Sequence, residues 1–219
     1  MTKADLFKNG KATEKDGKLV NSLGITELVI PDDVTKIWKF AFYECEILKS
    51  VTIPDSVKSI GDYAFAGCSA LMRVTIGDSV TKIGKAAFAG CKDLSMLTIG
   101  ESVTSIGDTA FARCKSLTNV VIPDSVKSIG DEGFSECRNL TRVSIPDSVI
   151  EIGDFAFYDC QHIKELIFKG KTMVEIQSMK YYPWRLKNPE QLIVPGVDSS
   201  SAIGESLMKK WRKLYLNSI

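Results

Sequence analysis

Cys45, Cys68, Cys91, Cys114, Cys137 and Cys160 each stand 23 residues from the next. A spacing held this strictly is the mark of a repeat architecture, and it constrains the fold more than any local motif. Aligned on the cysteines, Val34 to Lys171 divides into six full copies, with a partial copy before them. The second copy, Val57 to Ser79, reads V-K-S-I-G-D-Y-A-F-A-G-C-S-A-L-M-R-V-T-I-G-D-S. Eight of its positions recur: Val57, Ile60, Ala64, Phe65, Cys68, Leu71, Val74 and Ile76. Six copies make 48 such slots, and all but one hold apolar residues; the exception is Gly133 in an Ala slot. One copy cannot bury its own apolar row, whereas stacked copies bury a continuous core, so the chain is expected to form a solenoid.

The slots also predict local structure. Leu-x-x-Val-x-Ile, as in Leu71 to Ile76, has β-branched residues at period two and reads as a strand with one buried face. Pro-Asp-Ser or Gly-Asp-Ser then turns the chain. Val-x-x-Ile-Gly gives a second short extended segment, closed by a glycine free to take positive φ. Asp-x-x-Ala-Phe-x-x-Cys has i, i+3, i+4 spacing over about one turn, which predicts a 3₁₀ turn or a single α turn.

Composition excludes several functions. With 28 Lys plus Arg against 27 Asp plus Glu, the net charge is +1, and no broad electrostatic footprint for nucleic acid exists. A 44% hydrophobic content excludes disorder, and no run of 18 apolar residues offers a transmembrane helix. Met1 to Val20 has no apolar h-region, so no signal peptide is expected there. The sole histidine, His162, makes His-based catalysis or zinc ligation improbable. The cysteines fall at one core position. In-register neighbours sit about 4.8 Å apart with parallel Cβ vectors, which suits a disulfide poorly, so reduced and buried thiols are expected. No catalytic, cofactor-binding or metal-binding residue and no cofactor is assigned. Paired carboxylates, Ser-His-Asp, P-loop and dinucleotide fingerprints are all missing.

Ile60-Gly61, Ala64-Phe65, Cys68, Leu71, Val74 and Ile76, preceded by the Ile53-Pro54-Asp55-Ser56 turn and repeated at period 23, resemble the BspA-like leucine-rich repeat family. The resemblance covers about 138 of 219 residues. Departures are few: Trp38 replaces Gly, Gly77 and Gly100 replace Pro, and the sixth copy ends Ile167-Phe168-Lys169-Gly170. The fold it implies is a β-rich leucine-rich-repeat solenoid with short helical or 3₁₀ turns, an N-terminal strand cap and a C-terminal helical cap. Because family members are often surface-associated and bind host or matrix proteins, it also implies a protein partner and a cell-surface or secreted location.

Three regions follow: residues 1–33 as an N-terminal segment and cap, 34–171 as the repeats, and 172–219 as a C-terminal cap. Thr26 to Asp33 reads as a strand and turn without the preceding half repeat, behind a loosely ordered polar segment from Met1 to Lys18. Leu192 to Pro195 reads as one more strand and turn. Ser199 to Ser201 would cap an amphipathic helix over Ala202 to Leu216, its apolar face covering the solenoid end. Tyr181-Tyr182-Pro183-Trp184 reads as cap packing. From Lys164 onward ten basic and five acidic residues give +5, leaving −4 on the remainder.

The acidic ladder Asp55, Asp78, Glu101, Asp124 and Asp147 cannot supply the converging oxygens of a calcium site and is expected to bond local backbone amides. Asp62, Asp108, Asp131 and Asp154 are read as caps of the short helical turn. More informative are the strand residues pointing away from the core: Ser50 and Thr52, Arg73 and Thr75, Met96 and Thr98, Asn119 and Val121, Arg142 and Ser144, and Glu165 and Ile167. Side chains alternate across a strand, so these residues stack into two columns. Repeat proteins bind partners on such concave surfaces; equally, such residues tolerate solvent without binding anything. The expected function is a non-catalytic, monomeric protein-binding or adhesion module using its concave strand face. The alternative is a structural spacer or assembly subunit docking through its basic C-terminal helix.

Overall fold

A computed structural model describes Phe7, residues 11–169 and Leu192–Ile193. The chain winds as a succession of stacked coils, each contributing a long strand, a turn, a short strand and a run of turns. The long strands are Glu27–Val29, Ser50–Ile53, Arg73–Ile76, Met96–Thr98, Asn119–Val121, Arg142–Ile145 and Glu165–Phe168. Burial alternates along them as expected: Arg73 is exposed, Val74 buried, Thr75 intermediate and Ile76 buried. Pairing is parallel and advances by 23 residues per coil, with Thr52 opposite Thr75 and Thr75 opposite Thr98. The short strands Lys11–Ala12, Lys36–Ile37, Ser59–Ile60, Lys82–Ile83, Ser105–Ile106, Ser128–Ile129 and Glu151–Ile152 form one continuous seven-stranded sheet.

The third side of each coil departs from the helical expectation. Ala64 N–H bonds to the Gly61 carbonyl, Ala66 to Tyr63 and Cys68 to Phe65, the i→i−3 pattern of a 3₁₀ turn. Tyr63 and Gly67, however, have φ of 56° and 77°, so the run is a chain of separate turns. Positive φ at the third residue is what a type II turn requires. The same positions in other coils hold Phe40, Ala86, Thr109, Glu132 and Phe155, with φ of 51–58°. Their conformation serves the ladder. Tyr63, Phe65 and Gly67 donate N–H to the Lys85, Ala87 and Ala89 carbonyls of the next coil at 2.7–2.8 Å. On the strand sides bonding runs both ways, with Lys58 and Gly61 donating back to Thr35 and Ile37 and Ile30 donating on to Thr52.

Gly61 and its equivalents are therefore not used for positive φ. A Cβ on Gly61 would lie 2.5 Å from Lys39 N and 2.6 Å from the Trp38 carbonyl carbon. Close approach of consecutive coils is the reason for glycine there. Trp38 can replace it in the first full copy, where the preceding chain leaves the ladder after its Ala12 carbonyl receives the Trp38 N–H.

Phe42, Phe65, Phe88, Phe111, Phe134 and Phe157 stack down the core with ring centroids 4.9–5.5 Å apart and planes within 16° of parallel. Each is fully buried, and the Val, Ile and Leu slots around it are buried in every coil except at Leu97. Burying one such side chain contributes about 1.5–3 kcal/mol.

The N-terminal expectations need correction. The half repeat before Thr26 exists: the helix Glu14–Ser22 stands where later coils place the turn run. Thr13 and Asp16 form a capping box, the Asp16 carboxylate accepting from Thr13 N at 2.6 Å and Thr13 Oγ1 at 2.9 Å. Asp16 is buried and also accepts from Phe7 N, while Phe7, Ala12 and Val20 join the core. At the other end Leu192–Ile193 pairs in parallel with Leu166 and Ile167, the strand expected there. The helix over Ala202 to Leu216, the Tyr181 to Trp184 cluster and Lys209 to Lys213 lie outside the described residues.

Candidate interaction face

The outward side of the long strands is assembled by alternation: every Val and Ile slot turns inward, so its neighbours must turn out. Ser50, Arg73 and Met96 stand side by side, as do Thr52, Thr75 and Thr98. Asn119, Arg142 and Glu165 form a second row of three, beside Val121, Ser144 and Ile167. Thr52, Arg73, Met96, Thr98, Asn119, Val121 and Arg142 are exposed; Ser50, Thr75, Ser144, Glu165 and Ile167 are half-buried.

The twelve do not form one sheet. Long strands pair in two groups, one ending at Met96–Thr98 and the other beginning at Asn119–Val121. Elsewhere the residue before a long strand donates back one coil, as Met72 does to Lys49 and Thr141 to Thr118; no such bond joins Thr118 to Ser95. Coils three and four remain joined through the turn run and the short strands, with Phe88 N–H on the Ala110 carbonyl and Lys82 opposite Ser105. Leu97, beside the break, is only partly buried in a slot that is closed in the other coils.

Charge differs between the groups. Arg142 is held by Glu165, Nε to Oε2 at 2.9 Å, whereas Arg73 makes no ion pair with another described residue. Flanking the first group are exposed Lys49 and Met72, which alternation alone did not single out. Beyond the Thr column runs the acidic row. A groove of about 680 Å³ lies along it, lined by Asp32, Thr52, Asp55, Thr75, Asp78 and Thr98 among others. The acidic side chains do not bond their own turn as expected. Asp55 Oδ1 accepts from Asp78 N at 2.6 Å, and Asp78 Oδ1 from Glu101 N at 3.1 Å, one coil on. Asp62, Asp108 and Asp131 likewise accept from the backbone of Lys85, Asp131 and Asp154, so they tie coils together and cap no helix.

All six cysteines are free and buried. Each thiol from Cys68 to Cys160 donates to a Phe carbonyl of the preceding coil, at 3.1–3.3 Å. Burial pushes Cys114 and Cys137 well above the ordinary thiol range and Cys160 up to about 12. His162 sets Nδ1 2.6 Å from the Arg138 carbonyl oxygen, away from any thiol. Among the described residues no group of three or more His, Cys, Asp or Glu side chains could hold a metal ion, and no helix is long and apolar enough to cross a membrane. A second exposed feature escaped the sequence reading: Phe40 stacks on Tyr63 at 5.1 Å and meets Tyr43 edge-on, with Lys36 over Trp38 nearby.

Solved structures resembling this one are bacterial leucine-rich repeat proteins. A leucine-rich cell surface protein from Faecalibacterium prausnitzii A2-165 is 33% identical, covering 67% of this chain and 48% of its own, with a TM-score of 0.49. A leucine-rich repeat protein of T. pallidum is 30% identical over 66% of this chain and 59% of its own, with a TM-score of 0.49. One from Eubacterium ventriosum ATCC 27560 is 23% identical over 61% of this chain and 42% of its own, with a TM-score of 0.54, a likeness of fold. The chain thus spans about half the length of these relatives. A search of curated proteins finds no match. The profile of the BspA type leucine-rich repeat region, in six copies, matches residues 17–131 and 104–190; the chain belongs to the BspA-type leucine-rich repeat family.

Proposed function

We propose that this protein is a non-catalytic binding module of the cell surface or its surroundings, whose long-strand face captures another protein. One observation carries the reading. Positions facing the core change little from coil to coil and stay apolar at all but Gly133, whereas the outward column Ser50, Arg73, Met96, Asn119, Arg142, Glu165 changes at every step. A repeat that holds its core and varies one sheet surface offers a non-uniform surface suited to recognition. The surface location rests on the habit of the family, and fold analogy names no ligand.

The test is affinity capture of proteins from the native surroundings. Capture should fail for the combined R73E, N119K and R142E substitutions and persist for K82E, at an exposed position on the short-strand sheet. Capture unaffected by the triple substitution but lost on removing residues 202–219 would replace this reading with the assembly subunit.

A further inference from the structure

We infer that docking is confined to the first of the two long-strand groups, and that the site takes an extended segment of a partner protein whose side chains alternate between acidic and basic. This rests on the protein-binding reading above and narrows it. The three inner strands of the first group carry opposed charges at their two ends, whereas the outermost strand begins with exposed Glu27 and lies outside the site. Lys49 and Arg73 are exposed at the start of the inner strands, next to exposed Met72 and Met96. Asp55, Asp78 and Glu101 are exposed just past their ends, with the Thr column between and the groove along the acidic side. Neither Lys49 nor Arg73 is neutralised by another described residue, and none of the three carboxylates enters an ion pair there. In the second group the corresponding arginine, Arg142, is already occupied by Glu165.

Dimensions select the occupant. A four-residue strand is about 13 Å long and three ladder positions span about 10 Å, so the patch covers on the order of 130 Å². A stable protein–protein interface needs about 800 Å² per partner, which excludes a second copy of this chain held by this face alone. A single extended segment of about four residues fits. Laid across the strands, along the solenoid, it points successive side chains to opposite sides. Alternate residues then reach the cationic row and the anionic row. The matching sequence is acidic, basic, acidic, basic, and grouping the same charges in blocks would set half of them against like charge.

The probes are two end-blocked hexapeptides of equal composition, one alternating Glu and Lys, the other three Glu followed by three Lys. Titration of the full chain at low salt should show the alternating peptide binding about tenfold tighter than the block peptide. R73E should weaken the alternating peptide by about tenfold, while N119K and V121K, on the second group, should change it by less than about twofold. These positions are exposed, so an unchanged melting temperature verifies folding. Equal binding of the two peptides, or loss through N119K, overturns the inference. If protein capture fails through N119K and R142E yet survives R73E, the site lies on the second group: the inference falls and the protein-binding function stands.

Discussion

Alkaline pH should unfold this protein far more steeply than it unfolds one with a thiol-free core. The cysteines lose protons at the ordinary value of 9.0 once the chain is unfolded, but burial holds Cys91, Cys114 and Cys137 above that value and Cys160 at about 12 in the fold. Cys45 and Cys68 are raised as well. A folded-state value above the unfolded one favours the native state fully below the unfolded value. That advantage drains away as pH rises toward the folded value. For one thiol the loss between about pH 9 and pH 10 is about 1 kcal/mol. Six raised thiols lose at most about 6 kcal/mol together, comparable with the whole stability of many domains. Urea unfolding under reducing conditions at constant ionic strength, at half-unit pH steps, measures the slope. Removing one thiol, as in Cys114→Ala, should reduce the fall by about one sixth, which separates the thiols from lysine and tyrosine titration. A fall below about 2 kcal/mol, or one that Cys114→Ala leaves untouched, would refute the reasoning. Thiol labelling at neutral pH gives a second check: fast reaction of the native protein would contradict the burial.

Three further outcomes follow from the coil geometry. Phe111→Ala should cost about 3–5 kcal/mol in chemical denaturation, since both stacking neighbours at 5.3 and 5.2 Å then face a cavity. Thr109→Gly should stabilise by about 0.5–1 kcal/mol, because a β-branched residue at φ 51° is strained more than glycine's extra unfolded freedom costs. Gly84→Ala should destabilise by at least about 2 kcal/mol, because the added Cβ would meet Asp62 N at 2.7 Å and neither backbone can retreat without breaking the ladder.

Most of the architecture was readable because each apolar slot is repeated at constant spacing, so chance occurrences cancel and Val74 or Ile76 is recognised by its equivalents. The turn run was misread for a physical reason. Ala64, Phe65 and Cys68 have helical spacing, but spacing reports which side chains face the core and not the sign of φ between them. Residues such as Tyr63 and Thr109 carry no preference for left-handed backbone; the N–H bond to the next coil imposes it. Gly67 and Gly90, at the second such position, were the available clue. The Glu14–Ser22 helix was missed because Leu19 and Val20 are its only apolar residues, although Thr13 and Asp16 announce its capping box. Outward columns follow from alternation, whereas the break before Asn119 and the lack of an ion pair from Arg73 to another described residue depend on spacings between coils that no single copy encodes.

The constant register also sets how this chain assembles. Parallel pairing usually implies slow folding, because distant segments must meet before contacts repay the lost chain freedom. Here the strand partners of successive coils between Ser50 and Phe168 are 23 residues apart, so closing each coil costs about 3 kcal/mol of loop entropy whether it is the second or the sixth. Growth from any formed pair is then a series of equal steps. Adding coils leaves the difficulty of each step unchanged, so the length of such an array is open to evolutionary change without a new folding problem.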